Sequence, residues 1–305
     1  MRLTHLSLTN FRLFSRLDME LPRRILLLVG SNAQGKTSLL ESIYFMATFT
    51  SFHAQNDRQL INFLAGQDDL SVGRMLGTYQ RGERQHRLEI RLIQDLNGNG
   101  GTRLRKEILL DGVKTAANQV VGHLSAVIFL PQMTRILEGG PEERRRYLNL
   151  AVAQANPGFS QILSDYNQAL AQRNALLKQL NEQGGDSAQL EFWDNVLSSK
   201  GAAIILMRIQ AIKQIEQLAM RVHEKLSGAT EVIRLLYQPS YDPLPKPEGQ
   251  FALPIQTSIQ RDGFAMAQIQ QGFAARLAEV RREKIQRGVT TIGPHRDEMR
   301  VQCNG

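Results

Sequence analysis

The chain has 305 residues, which is room for one large domain or two modest ones. Lys and Arg number 37 against 29 Asp and Glu, so the formal net charge is +8 and a polyanion such as nucleic acid is the expected partner. A single cysteine excludes a disulfide framework and multi-cysteine zinc or iron–sulfur sites, and it fits a reducing, cytoplasmic setting. We expect the six scattered histidines to be isolated surface or core imidazoles. Apolar runs are far shorter than a bilayer requires, so no membrane partner is expected.

The N-terminal part of the chain predicts strands followed by a helix. Apolar residues alternate from Leu3 to Leu8, which is typical of a half-buried strand. The apolar run at residues 25–29 stops at Gly30 and predicts a second, buried strand. Apolar residues then recur at helical spacing, so we expect an amphipathic helix that begins near Lys36.

Residues 70–111 predict an antiparallel meander. Their apolar residues follow a period of two, and the turn-rich segment 97–101 marks a hairpin tip. Residues 126–130 form another apolar strand candidate, and a turn at Gly139-Gly140 leads into a helix with Pro141 at its first position.

The middle of the chain is rich in Ala, Leu, Gln and Arg and predicts an α-helical arm. Two long helical patterns cover about residues 157–182 and 189–226, and a third covers 255–287 before a final strand. The predicted domains are therefore an N-terminal part at 1–150 that contains the first strands and the meander, the helical arm at 151–285, and a return to the N-terminal domain at 286–305.

Residues 30–37 match the phosphate-binding motif G-x-x-x-x-G-K-[ST] in full. Glycines let the backbone N–H groups wrap around phosphate oxygens, and the helix N-terminus adds positive charge. Lys36 is expected to reach the β- and γ-phosphates, and the Thr37 hydroxyl to bind Mg²⁺. The candidate nucleotide-binding residues are Gly30, Ser31, Asn32, Ala33, Gln34, Gly35, Lys36, Thr37 and Ser38. The motif alone does not distinguish ATP from GTP, or hydrolysis from kinase-type transfer.

Two further polar clusters follow. Arg144, Arg145 and Arg146 lie near the start of the helix that begins at Pro141, where a charge run usually marks a solvated face. Residues 290–298 concentrate a His, an Arg and two acids in a turn before the last strand.

Together these clusters resemble the RecF family of bacterial recombinational repair ATPases, relatives of the SMC and ABC-type ATPases. The resemblance spans the chain: residues 6–12, the loop with Asn32 in third place, residues 129–149 and residues 293–297 all contribute. It implies an α/β fold, namely an ABC-type ATPase head with a P-loop mixed sheet and an antiparallel meander, carrying an inserted α-helical arm. It also places Gln132 near the glutamine loop of ABC relatives, as a candidate catalytic ligand.

The resemblance implies an ATP-dependent homodimer that binds single-stranded or gapped duplex DNA in repair and replication. It further implies slow ATP hydrolysis, RecR and RecO as partners, and support of recombinase loading and SOS induction. Candidate DNA contacts, from charge alone, are Arg103, Arg105, Lys106, Arg144, Arg145 and Arg146.

The expected signature segment and the strand ending in a Mg²⁺-binding Asp are absent before residue 305, so we expect a C-terminally truncated chain that does not hydrolyse ATP. Two alternatives remain open at this point. One is a P-loop kinase acting on a small molecule, and the other is an interaction scaffold that nucleotide only stabilises.

Overall fold

A computed structural model describes residues 1–22, 25–65, 70–96, 102–244, 261 and 263–304. These residues form two compact units. The first comprises Met1–Phe129 and Gln154–Pro157, and the second comprises the remaining described residues.

The first unit is built on an antiparallel sheet in the order β2-β1-β3-β4-β5-β6. Its strands are β1 (Arg2–Phe11), β2 (Phe14–Glu20), β3 (Leu70–Arg81), β4 (Arg84–Leu96), β5 (Thr102–Leu110) and β6 (Val113–Lys114). The predicted strand near the N-terminus and the predicted meander are confirmed, whereas β2 was not predicted. The expected hairpin tip at 97–101 lies outside the described residues.

One helix, α1 (Lys36–Thr48), covers a face of this sheet, and a short helix, α2 (Ala117–Val120), follows β6. Phe45 and Met46 of α1 are buried in the same apolar core as Leu6 and Leu8 of β1. A Cβ at Gly77 in β3 would lie 2.5 Å from the Met46 Cε, so the Met46 side chain packs directly on the backbone of β3. The predicted helix start near Lys36 is confirmed.

Two predicted strands are wrong. Residues 25–29 and 126–130 have no strand assignment, and no described strand pairs with either of them. Ile25 is 85% exposed, Val29 82% and Val127 99%, although Leu28 and Ala126 contact the edge of the core. The apolar runs are real, but a strand also needs a neighbouring backbone to satisfy its N–H and C=O groups.

The second unit is mainly helical. Its elements are α3 (Arg135–Glu138), most of α4 (Pro141–Ala155), α5 (Phe159–Gln183), α6 (Leu190–Ser227), β7 (Ile233–Gln238), α7 (Met266–Glu279), α8 (Arg281–Arg287) and β8 (Glu298–Cys303). The helix beginning at Pro141, the two long helices and the last strand are confirmed. Strand β7, which pairs antiparallel with β8, was not predicted.

The third predicted helical run differs from the prediction. It breaks at Val280, where α7 ends and α8 begins, and residues 255–260 lie outside the described part of the chain. Residues 286–304 belong to the second unit. Their return to an ATPase head stays a prediction.

The turn before β8 is tied into the second unit by a buried carboxylate, Asp297. Arg208, which is 1% exposed, donates a 2.9 Å hydrogen bond from Nη1 to Asp297 Oδ2. The Tyr237 hydroxyl donates to the same oxygen, and the Ser240 N–H donates to Oδ1 at 2.9 Å. Because a buried carboxylate without partners is very costly, these contacts fix the turn against α6 and β7.

A second buried arginine joins the long helices to the segment ahead of that turn. Arg173 of α5 is fully buried and donates from Nε to Asp194 of α6 at 2.7 Å. Its Nη1 donates to the Thr290 hydroxyl at 2.8 Å. Most of the polar residues at 290–298 therefore make hydrogen bonds or ion pairs inside this unit.

His295 in the same turn is held as a neutral imidazole. The Tyr166 hydroxyl lies 2.8 Å from Nδ1, and Nε2 lies 3.1 Å from the Thr290 carbonyl oxygen, so Nε2 carries the proton. Burial lowers the pKa of His295 to about 4.

We predict that this buried histidine weakens the fold in acid. Between the unperturbed pKa of about 6.5 and about 4, the unfolded chain binds a proton that the folded chain does not, so the free energy of unfolding falls as pH falls. The full effect is on the order of 3 kcal/mol. Urea unfolding at pH 7 and pH 5 should show a smaller loss for His295→Gln than for the wild type. Equal losses would contradict this assignment.

Candidate functional site

The loop between residues 30 and 35 turns sharply into α1. Residues 30–34 are exposed, whereas Gly35 is buried at the helix start. Ala33 and Gly35 both have left-handed backbones, with φ of 64° and 86°. A Cβ at position 35 would lie 2.8 Å from the Phe14 ring, so glycine is required there by both conformation and space.

The N-terminus of α1 presents donors that the protein itself does not use. The leading N–H groups of a helix have no intrahelical acceptor. In α1 no side chain caps them, and the first turn holds no acid. The Lys36 ammonium donates to the Gly30 and Ser31 carbonyl oxygens, at 2.7 Å each, and holds the loop curled over the helix start. The arrangement is suited to binding a phosphate group.

A cavity of about 460 Å³ adjoins the helix start. It is lined by Thr37 and Ser38 from α1, together with Arg12, Leu13, Glu41, His53, Gln59, Ile61 and Phe63. Phe63 is 78% exposed at its rim. A space of this size beside a phosphate-binding turn can take the rest of a nucleotide.

An ion pair between α1 and the turn that follows β1 shapes the floor of this cavity. Arg12 donates from Nε and Nη2 to the two carboxylate oxygens of Glu41, at 2.7 Å each, and from Nη1 to the Gln59 carbonyl at 2.9 Å. The Ser51 hydroxyl donates to the same carboxylate. Glu41 is 1% exposed, so this bidentate pair anchors α1 to the end of β1.

Sequence reasoning assigned no role to Glu41, His53 or Phe63, which line the cavity. Arg12 is the last residue of the segment 6–12 that contributes to the family resemblance, which gives it no role of its own. The available signal was Glu41, an acid within the apolar face of a predicted helix, where a buried charge requires a partner.

The predicted DNA contacts on β5 divide between two faces of the sheet. Arg103 and Arg105 are exposed on one face, whereas Lys106 points to the other, where it pairs with Asp57 at 2.7 Å and lies 5.3 Å from the centre of the Phe45 ring. On the same face of the sheet as Arg103 and Arg105, a hydrogen bond from Arg74 to Glu89 lowers the pKa of the Glu89 carboxyl to about 2. Arg105 also lies 3.8 Å from Glu107 on this face, so the arginines of β5 are partly balanced by acids.

The predicted contacts on α4 are engaged to different degrees. Arg144 makes a bidentate pair with Glu298, at 2.8 and 2.9 Å, and is 13% exposed. Arg145 donates to the Asp297 carbonyl oxygen at 2.8 Å. Arg146 is exposed. The structure does not describe the Gln132 side chain, so its catalytic role stays a prediction.

The chain is similar in sequence to several curated proteins. A profile of the AAA ATPase domain matches residues 1–79. The DNA replication and repair protein RecF of Roseiflexus castenholzii is 34% identical over 100% of this chain and 76% of its own length. The protein of the same name from Herpetosiphon aurantiacus is 33% identical over 99% of this chain and 74% of its own length.

Solved structures share the fold. A structure of the recombination mediator protein RecF-ATPrS in the RecFOR pathway superposes with a TM-score of 0.79 and 25% identity, over 100% of this chain and 74% of that one. The corresponding RecF-ATP structure has the same TM-score at 24% identity. The α/β fold class predicted from the sequence is thereby confirmed. Within the described residues, every helix is too short or too polar to span a bilayer.

We predict that Glu41→Gln destabilises the first unit although it changes no volume. The amide cannot accept both Arg12 hydrogen bonds as a charged pair, so the free energy of unfolding should fall by on the order of 2 kcal/mol. Glu83→Gln, at an exposed turn, removes the same charge and should change it by less than about 0.5 kcal/mol. Equal urea midpoints for the two variants would show that the Arg12–Glu41 pair contributes nothing specific.

Proposed function

Because the chain belongs to the RecF family of DNA replication and repair proteins, we propose that it binds ATP at residues 30–38 and DNA at a cationic surface, in the cytoplasm. The observation that carries the proposal is the uncapped N-terminus of α1, which follows a loop whose carbonyl oxygens already hold the Lys36 ammonium group in place. Helix N–H groups without acceptors and an ammonium group together favour a triphosphate.

The nucleotide is held mainly by the backbone. The N–H groups of residues 33–38 would donate to phosphate oxygens, and Lys36 would exchange its two carbonyl acceptors for the β- and γ-phosphates. Since those carbonyls belong to the exposed loop, this exchange disturbs no buried contact. The adjoining cavity then takes the nucleoside.

The residues present fit a magnesium ion. Thr37 and Ser38 line the cavity with hydroxyl oxygens, the hard ligands that Mg²⁺ prefers, and Thr37 is the residue we assign to it. When bound, the ion would neutralise phosphate charge.

We propose that this chain alone does not hydrolyse ATP. Of the described residues that line the cavity, Glu41 is the one carboxylate. Both of its oxygens accept hydrogen bonds from Arg12, and one also accepts from Ser51. A carboxylate used in this way cannot orient an attacking water, so another acid must be supplied for catalysis.

A homodimer is compatible with the open loop. Residues 31–34 are exposed, so a second copy could reach the bound phosphates and make dimerisation depend on ATP. We propose RecO and RecR as partners, in support of recombinase loading and SOS induction, because RecFOR names the pathway of the similar structure.

DNA binding is proposed to be directed at phosphates. The net charge of +8 and the exposed Arg103 and Arg105 on one face of β5 favour sequence-independent, salt-sensitive binding. Arg146 is the further candidate on α4, because Arg144 would first have to give up Glu298. We further propose that DNA stimulates ATP hydrolysis when a catalytic carboxylate other than Glu41 completes the site.

Lys36→Ala should lower ATP affinity at least about tenfold, since a charge-assisted hydrogen bond contributes about 1.5–3 kcal/mol and 1.4 kcal/mol is tenfold. The midpoint of thermal unfolding without nucleotide should not change, because Lys36 contacts only loop carbonyls. Calorimetric titration with ATP and Mg²⁺ measures the effect, with Lys225→Ala, an exposed lysine of α6, as control. A folded Lys36→Ala variant with wild-type affinity would refute the assignment.

The double variant Arg103→Ala/Arg105→Ala should weaken binding to gapped duplex DNA in the presence of ATP. If each arginine meets one phosphate, the slope of log K against log salt should fall by about 0.9 per residue. Arg221→Ala/Arg282→Ala, at exposed positions of the second unit, removes equal charge and should leave the slope nearly unchanged. Equal slopes for the two double variants would show that Arg103 and Arg105 do not contact DNA phosphates.

A further inference from the structure

Three side chains that could bind a metal converge near the end of β8. Nε2 of His223 lies 3.0 Å from Oε2 of Glu231 and 3.4 Å from Sγ of Cys303. Sγ of Cys303 lies 3.4 Å from the same Glu231 oxygen. The three atoms thus form a closed, nearly equilateral triangle on the surface of the second unit.

Independent parts of the fold bring these side chains together. His223 lies in the last turns of α6, which ends at Gly228 in a left-handed conformation. The chain then reverses, as the Ala229 N–H donates to the Glu224 carbonyl at 2.8 Å, and this turn delivers Glu231 to the same side.

The third ligand is positioned by the sheet. Cys303 is the last residue of β8 and pairs with Ile233 of β7. Beyond the pair, the Asn304 N–H donates to the Val232 carbonyl at 3.0 Å, and the Asn304 side chain accepts from the Val232 N–H at 2.9 Å. These hydrogen bonds fix Cys303 at the strand end. The three side chains therefore lie close together without a bound ion.

From this geometry we propose that Cys303, His223 and Glu231 bind Zn²⁺ on the second unit. Around a tetrahedral zinc with usual bond lengths, a sulfur, a nitrogen and an oxygen lie about 3.3–3.5 Å apart. The observed edges of 3.0, 3.4 and 3.4 Å approach that face without movement of the backbone. All three groups are partly open to solvent, so water completes the fourth position.

The donor set selects the class of ion. A thiolate and an imidazole are soft or borderline ligands that favour Zn²⁺ over Mg²⁺ or Ca²⁺, and a single carboxylate does not meet the six oxygen ligands that the harder cations require. The simpler alternative is a hydrogen-bonded triangle with no affinity for metal. Both arrangements share these distances, and metal binding separates them.

Sequence reasoning missed this site. His223 and Glu231 are 8 residues apart across a helix end, and Cys303 follows Glu231 by 72 residues, so no known ligand spacing connects them. The single cysteine excluded only multi-cysteine sites.

The test is metal binding by the whole chain in a non-thiol reductant. Co²⁺ should bind with one equivalent per chain and give visible absorption bands of a tetrahedral site plus a thiolate-to-cobalt charge-transfer band, and Zn²⁺ should displace it. Cys303→Ser should abolish the charge-transfer band, and Cys303→Ser or His223→Ala should weaken Zn²⁺ binding at least about tenfold in competition with a chromophoric chelator.

His5→Ala is the matched control, because His5 also faces a carboxylate, Asp18 at 2.5 Å, without a thiol nearby. It should bind Zn²⁺ as the wild type does, and so should Lys36→Ala, which keeps the proposal independent of the nucleotide site. Far-UV circular dichroism verifies that each variant is folded. Absence of the charge-transfer band in folded wild type, or equal Zn²⁺ affinity in wild type and Cys303→Ser, would overturn the proposal.

Discussion

The candidate site depends on a helix whose first turn is left without acceptors. Elsewhere in proteins a side chain usually caps such a terminus, but α1 begins at a left-handed glycine and has no cap. The helix keeps its place because Phe45 and Met46 are buried against the sheet and because Arg12 holds Glu41. Packing and one ion pair thus offset the cost of leaving N–H groups open for a ligand.

The second unit is stabilised by buried ion pairs. Arg173 and Arg208 are nearly or fully buried, and each meets a carboxylate from a distant part of the chain. Removing either acid would leave an unpaired buried charge, which is strongly destabilising. In the turn at residues 293–297, one of the segments that carries the family resemblance, Asp297 and His295 are therefore held by contacts inside this unit, whereas Arg296 is exposed.

Sequence patterns predicted the meander, α1 and the long helices because periodicity reports which face of an element is buried. They failed for residues 25–29 and 126–130, where most apolar side chains are exposed and no described strand supplies a backbone partner. The phosphate-binding motif is local and could be found by inspection. In contrast, the Arg12–Glu41 pair and the Cys303 cluster join distant residues, and a single sequence carries no signal for such contacts.

We propose that the nucleotide binds at the open start of α1. Amide hydrogen exchange with and without ATP and Mg²⁺ tests it at the residues concerned. If the nucleotide binds there, exchange becomes slower at residues 33–38 and changes little in the β3–β4 hairpin. Unchanged exchange at residues 33–38 under saturating ATP, or protection confined to the second unit, would contradict it.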